Sequence, residues 1–241
     1  MFDLRSFTQA DVSECGQALS ALGSGARSME ETANKVVHYL HDNLGDKQSG
    51  EKGCALVRFY KTHPYGELDA KLQQFADGIL GGASASPEVK CLTMLATAGD
   101  QPEWNSRANS NGHKAIPLPS EEMVASIPMV AQLVKQFGLD AGSVLRPDPS
   151  LIGDLERKTF NTFYVPKALG SPYIPAQDDF VVPFKIESAL GFGGMLSSGD
   201  LFAVIMFSKV SIPQETAENI KALAPRVKEA VQPFVGGAIF A

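Results

Sequence analysis

Ala189-Leu-Gly-Phe-Gly-Gly-Met-Leu196, the turn Ser197-Ser-Gly-Asp200 and Leu201-Phe-Ala-Val-Ile-Met-Phe207 form the most readable stretch of the chain. Two apolar runs around a glycine-containing four-residue turn predict an antiparallel hairpin. Gly191, Gly193 and Gly194 sit inside the first run, and no helix follows them directly. A phosphate-binding glycine loop needs a helix N-terminus behind it. These glycines therefore read as a bulge or a close backbone approach. Just upstream, Phe180-Val-Val-Pro-Phe184 reads as a further strand. Downstream, a helix starts near Pro213, where a missing N–H costs nothing. Ile220, Leu223, Val227, Val231 and Phe234 line its buried face, and Pro225 is expected to bend it.

The rest of the chain supplies partners for this hairpin. A helix is expected over Val12 to Leu22. A second is capped by Ser28, with Glu31 completing a capping box. It carries Ala33, Val36, Val37, Leu40 and Leu44 at helical spacing and ends at Gly45. Asp46 to Lys52 reads as a loop. Cys54 to Tyr60 and Val89 to Ala98 read as strands, with a helix over Leu68 to Ile79 between them. Gly99 to Gly112 is a long polar connection of the kind that carries function. From Ser120 a helical pattern runs to Gly138, split by Pro128. Asp140 to Asp179 is expected to be mainly ordered loop, with a short strand or helix near Phe160 to Val165.

This order predicts an α+β fold: an antiparallel sheet of about five or six strands flanked by helices, with an N-terminal helical extension. The expected division is residues 1–27 as the extension, 28–235 as one domain and 236–241 as a tail. The 241 residues carry 21 Lys and Arg against 27 Asp and Glu, a formal charge of −6. That balance gives no global basic field for nucleic acid or a membrane surface. No apolar run approaches the roughly 20 residues of a membrane span. The N-terminus lacks a signal-peptide pattern. Three widely spaced cysteines, Cys15, Cys54 and Cys91, suggest neither a disulfide framework nor a metal site. A cytoplasmic protein with reduced thiols is expected.

The C-terminal strands carry a resemblance. Phe180-Val-Val-Pro183-Phe, then the hairpin, then a closing helix resemble the end of a GAF domain, in which a strand with a Val-Pro pair precedes a hairpin. PAS domains end similarly. The resemblance spans roughly residues 30 to 235, with its readable motifs in the last quarter. It implies a bacterial sensory or regulatory domain in signal transduction, with a small molecule or cofactor held on one sheet face. Gly99 to Pro119 and Leu155 to Asp179 would roof that face. It also implies a signalling partner protein and a homodimer formed through the terminal helices. Fold similarity does not choose the ligand. Ser171-Pro-Tyr-Ile-Pro-Ala-Gln177 faintly resembles the chromophore-contacting stretch of phytochrome GAF domains. No Cys-His dipeptide is present to carry a bilin, and Tyr173 stands where the acidic residue would be. Some GAF proteins are free-methionine sulfoxide reductases with a nucleophilic cysteine in a loop, whereas Cys91 reads as a strand residue.

Five residues are candidates for ligand binding. Arg58 interrupts an apolar strand, on the face opposite Val57 and Phe59, and there can hold an anion bidentately. Trp104, the one tryptophan, can stack on a planar ligand or a cation from its polar loop. His113 can bond a polar ligand or ligate haem iron, which makes haem the one named cofactor candidate. Tyr164 and Tyr173 are candidates to line the pocket. His63 reads as a turn residue, and His38 and His41 as surface or interface residues. No catalytic motif is present; in particular there is no GxSxG elbow. Three readings stay open: a ligand-binding sensor, an enzyme with a pocket cysteine, and an interaction module whose pocket is filled by Phe and Met.

Overall fold

The computed structural model describes all residues except Asn111, Thr159 and the side chain of Lys158. The chain starts with β1 (Phe2–Asp3), α1 (Gln9–Ala21) and α2 (Met29–Asn43). Thr8 and Asp11 close a capping box on α1. Ser28 caps α2 by accepting from the Glu31 N–H at 3.1 Å. The expected return bond is displaced by one residue, because the Glu31 carboxylate accepts from the Arg27 N–H at 2.7 Å and pairs with the Arg27 guanidinium. Gly45 does not cap α2. It lies in β2 (Leu44–Asp46), and the expected loop closes onto β3 (Glu51–Lys52) to give a ribbon of order β1-β2-β3. A fork from Arg5 to Asp46, at 3.2 and 3.0 Å, holds this ribbon together.

Next come β4 (Cys54–Pro64), α3 (Ala70–Ile79), β5 (Lys90–Gly99) and β6 (Ala115–Pro117). Pro128 splits the following pattern as expected, into α4 (Glu121–Ser126) and α5 (Pro128–Gln136). The expected loop region contains α6 (Ala141–Leu145), α7 (Ile152–Lys158) and β7 (Asn161–Val165). The hairpin is β8 (Ser188–Met195) and β9 (Leu201–Ser208), paired from Met195↔Leu201 to Ser188↔Ser208. A closing helix follows in two pieces, α8 (Gln214–Ile220) and α9 (Ala224–Val231), with Pro225 in the first turn of the second.

Six strands form one antiparallel sheet of order β6-β5-β4-β9-β8-β7. This is the expected α+β architecture, but Phe180–Phe184 is not a strand. Residues Gln177–Val181 make a wide helical turn, closed by bonds such as Val182 N–H to the Gln177 carbonyl at 2.9 Å. Positions 180 and 184 share a face in a strand and in a helix alike. Val182 separates the two cases. A strand would bury it with the phenylalanines, but it is 54% exposed.

The sheet buries both faces. Alternation along β4 sends Val57 and Phe59 to one side and Arg58 and Tyr60 to the other. On the first side Val57, Phe59, Phe192, Phe202 and Val204 pack with residues of α1, α2, α8 and α9. The apolar faces of α2 and α9, expected to serve a homodimer, are turned into this core. Leu4, Phe7, Cys15 and Leu19, from the expected extension, belong to it as well. The tail returns to α2, where the Met29 and Glu30 N–H groups donate to the Ala238 and Ile239 carbonyls at 2.9 and 2.8 Å. On the second side Leu56, Tyr60, Met94, Phe163 and Ile205 pack under α4, α5 and the wide turn.

Gly193 explains how α5 comes so close to the sheet. A Cβ there would lie 2.1 Å from the Phe202 carbonyl oxygen and 3.0 Å from Cε2 of Phe137. Gly193→Ala is expected to cost about 2 kcal/mol through overpacking. Urea unfolding with an unchanged midpoint would contradict that.

Both edge strands are short and offer little free backbone. On β7 the Gln136 side-chain amide accepts from the Tyr164 N–H at 2.8 Å and donates to its carbonyl at 3.2 Å. The Thr162 N–H donates to the Asn161 side chain. At the other edge β6 is three residues long, ends in Pro117, and lies beside α3.

Candidate functional site

Four of the five candidate residues lie on the second sheet face. Trp104 is placed by a clasp: Asn105 accepts from the Gly99 N–H at 3.0 Å and donates to the Gly99 carbonyl at 2.9 Å. The indole packs directly on Gly99, where a Cβ would lie 2.8 Å from Cε3 of the ring. It meets Phe184 and Phe180 edge-on, at 4.5 and 5.7 Å between centroids, and Phe180 meets Phe207 at 4.9 Å. The wide turn over Gln177–Val181 thus brings an aromatic roof onto the sheet. Tyr173 packs beside it, partly buried. Tyr164 is on the opposite side, where its hydroxyl donates to the Ile212 carbonyl.

Arg58 is half-buried on the same sheet face. Its neighbours across the sheet are Thr97 on β5 and Ile205 on β9. Its Nη1 and Nη2 donate to the Tyr60 and Ser110 hydroxyls at 3.4 and 3.3 Å, both long bonds. No carboxylate pairs with it among the described residues. Ser110 is buried, and its hydroxyl donates to the Gly112 carbonyl, which fastens the loop over the guanidinium. His113 follows in the left-handed region, with φ of 59°. Desolvation, then the charge of Arg58, push its pKa below the ordinary histidine value. The residue as a whole is nonetheless exposed. Two open depressions, one between α4, α5 and α6 and one beside Pro166, Val182 and Lys185, lie away from these residues.

A second polar cluster was not legible in the sequence. Lys61 and His63 follow Val57 and Phe59 on the helix-covered face of β4, and both are buried. Lys61 Nζ donates to Asp200 Oδ2 at 2.7 Å and to the Thr62 carbonyl at 2.8 Å. Lys90 Nζ reaches the other oxygen of Asp200 at 2.6 Å. Burial pushes the Lys61 pKa down. Burial alone would raise that of Asp200, but its two lysines outweigh this and lower it. His63 Nδ1 lies 3.3 Å from the Lys61 ammonium, so Nδ1 is the acceptor and the ring is neutral. Burial and then the Lys61 charge push the His63 pKa to about 4. The signal available was period-2: Lys61 and His63 continue the buried register of Val57 and Phe59. His63 is therefore a strand residue, not a turn residue. His41, expected at the surface or an interface, is buried between Asp100 and Lys52.

All three cysteines are buried, and burial pushes each thiol up to about 12. A thiolate nucleophile needs the opposite environment, partly exposed and electropositive. Among the described residues no group of three His, Cys, Asp or Glu is placed to hold a metal ion.

No protein-family model matches the chain, and no curated protein matches it. Solved structures do. The free methionine-R-sulfoxide reductase of Neisseria meningitidis, solved with its substrate, is similar with a TM-score of 0.51 at 12% identity, over 96% of this chain and 94% of that one. The phycocyanobilin-bound GAF domain of a cyanobacterial phytochrome gives 0.42 at 8% identity, over 95% and 96%. The chromophore-binding domain of the Stigmatella aurantiaca bacteriophytochrome gives 0.40 at 12% identity, over 95% of this chain and 60% of that one. The likeness to the reductase, at 12% identity, is one of fold alone. With six antiparallel strands, the terminal helices on one face and a roofed second face, this chain has a GAF-like fold.

Proposed function

We propose that this chain is a sensory or regulatory domain that takes up a small molecule under the 99–119 segment. The observation carrying this reading is the grouping of Arg58, Ser110 and His113 at the second sheet face, which also carries the aromatic roof around Trp104. A ligand entering there displaces the aromatic roof, and that displacement is the signal a partner protein reads. The alternative is an interaction module with a filled pocket, favoured by the ring contacts of Trp104, Phe180, Phe184 and Phe207. A thiol-based reductase fits least well, given three buried thiols of raised pKa.

Native mass spectrometry of the purified chain, followed by a thermal-shift screen of small metabolites, tests the leading reading. At least one compound is expected to raise Tm and change the emission of Trp104, the sole tryptophan. If nothing co-purifies and no compound does both, the filled-pocket module replaces it.

A further inference from the structure

Three buried side-chain atoms lack a hydrogen-bond partner among the described residues: Arg58 Nε, Thr97 Oγ1 and Gln232 Oε1. The first two are not scattered. Arg58 and Thr97 are direct cross-strand partners on β4 and β5, and both side chains belong to the roofed face. Thr97 is fully buried. A buried donor left unpaired carries the full desolvation penalty, so two side by side are a costly arrangement for a merely structural face. One acceptor-only group between them removes both costs. The surroundings say which kind. Arg58 brings one positive charge with no carboxylate against it. The two hydroxyls it does reach are distant, at 3.3 and 3.4 Å. Apart from Tyr60, the residues flanking the pair on this face are apolar: Ile205 across from Arg58, and Met94 and Ala203 across from Tyr60. One charge and a fork of donors over an apolar floor match a single carboxylate joined to an apolar body.

We propose that the site takes a small monocarboxylate with a hydrocarbon body, its carboxylate bound by Arg58 Nε–H and the Thr97 hydroxyl and its body replacing the side chains that cover Met94, Ala203 and Ile205, which are buried in the unliganded fold. This inference rests on the small-molecule reading above and names the ligand class of the same site. Ser110 then acts as the latch, since its hydroxyl is the loop's bond to the guanidinium.

The test pairs acids with their neutral isosteres: benzoate, phenylacetate and hexanoate against benzamide, phenylacetamide and hexanamide. Trp104 emission and Tm of the full chain are followed. At least one acid is expected to bind, and its amide about tenfold or more weakly. Arg58→Gln is expected to lose about tenfold in affinity for the acid, and Thr97→Val about fivefold. The unliganded Thr97→Val chain is expected to be at least as stable as the parent, because an unpaired hydroxyl has been removed. Circular dichroism confirms that each variant folds. Amides binding as well as acids, or acid affinity unchanged in Arg58→Gln, overturns the carboxylate assignment and leaves the pocket reading standing. No acid binding at millimolar concentration also overturns it. Failure of the wider metabolite screen is a separate result, and it alone removes the pocket.

Discussion

Asp200→Ala is expected to destabilise the chain by about 3–5 kcal/mol, the cost of leaving a buried charge without its partner. Asp200 stands between Lys61 at 2.7 Å and Lys90 at 2.6 Å, and it also accepts from the Ser198 hydroxyl at 2.7 Å. The Lys61 side chain is only 2% exposed, so water cannot replace the carboxylate. Removing it leaves two ammonium groups facing one another at the hairpin turn. Replacing the whole cluster, Lys61→Met and Lys90→Met with Asp200→Leu, is expected to recover most of the loss, since apolar residues of similar volume often match a buried ion pair or triad. Urea unfolding by circular dichroism measures both. A loss under 1 kcal/mol in Asp200→Ala would show that the cluster is solvated in solution and that its closed geometry does not persist there.

Acid is expected to weaken the fold well above the carboxylate range, through His63. Its folded pKa is about 4, and the unfolded value is about 6.5. Between those values the unfolded chain binds a proton that the folded chain refuses, so stability falls as pH is lowered. The contribution is intact above pH 6.5 and is lost progressively down to about pH 4. From pH 7.5 to 4.5 this group alone removes about 2–3 kcal/mol. His41 and His113, whose pKa values are also lowered, act in the same direction. Asp200 adds to the loss only at lower pH, because its folded pKa lies below the ordinary carboxylate value. The check is the difference in unfolding free energy between the two pH values, for the parent chain and for His63→Gln. That difference is expected to shrink by about 2–3 kcal/mol in the variant. Equal pH dependence in the two proteins would assign the acid sensitivity elsewhere.

The hairpin was legible because both runs are apolar and the turn residues leave one pairing. The split at Pro128 was legible because proline cannot continue a helix. Phe180–Phe184 misled for a physical reason: the i, i+4 phenylalanines satisfy both periods, and the deciding residue, Val182, is apolar yet exposed. Gly45 misled because a glycine after a helix reads as a cap, whereas here the chain enters the ribbon beside β1. At the site, alternation along β4 put Arg58 on the face opposite Val57 and Phe59, as observed. It did not show that Thr97 stands opposite, because pairing between strands 39 positions apart is set by tertiary register. Tyr164 and Tyr173 were alike as sequence signals, yet the phase of β7 sends Tyr164 to the helix-covered side. The Lys61 cluster was hidden for the same reason as Thr97. Asp200 read as a turn residue, and its lysines come from two other strands.

The Gln136 amide on Tyr164 bears on how this domain can be wired to other proteins. An open sheet margin is an adhesive strip, and any extended peptide of suitable length can zip onto it. Here one margin is occupied by a side chain posing as a neighbouring strand, and the other is too short and ends in proline. Neither edge strand therefore presents a long free run of backbone to an extended peptide or to a second copy of the chain. A single glutamine closes the β7 margin to backbone pairing at Tyr164.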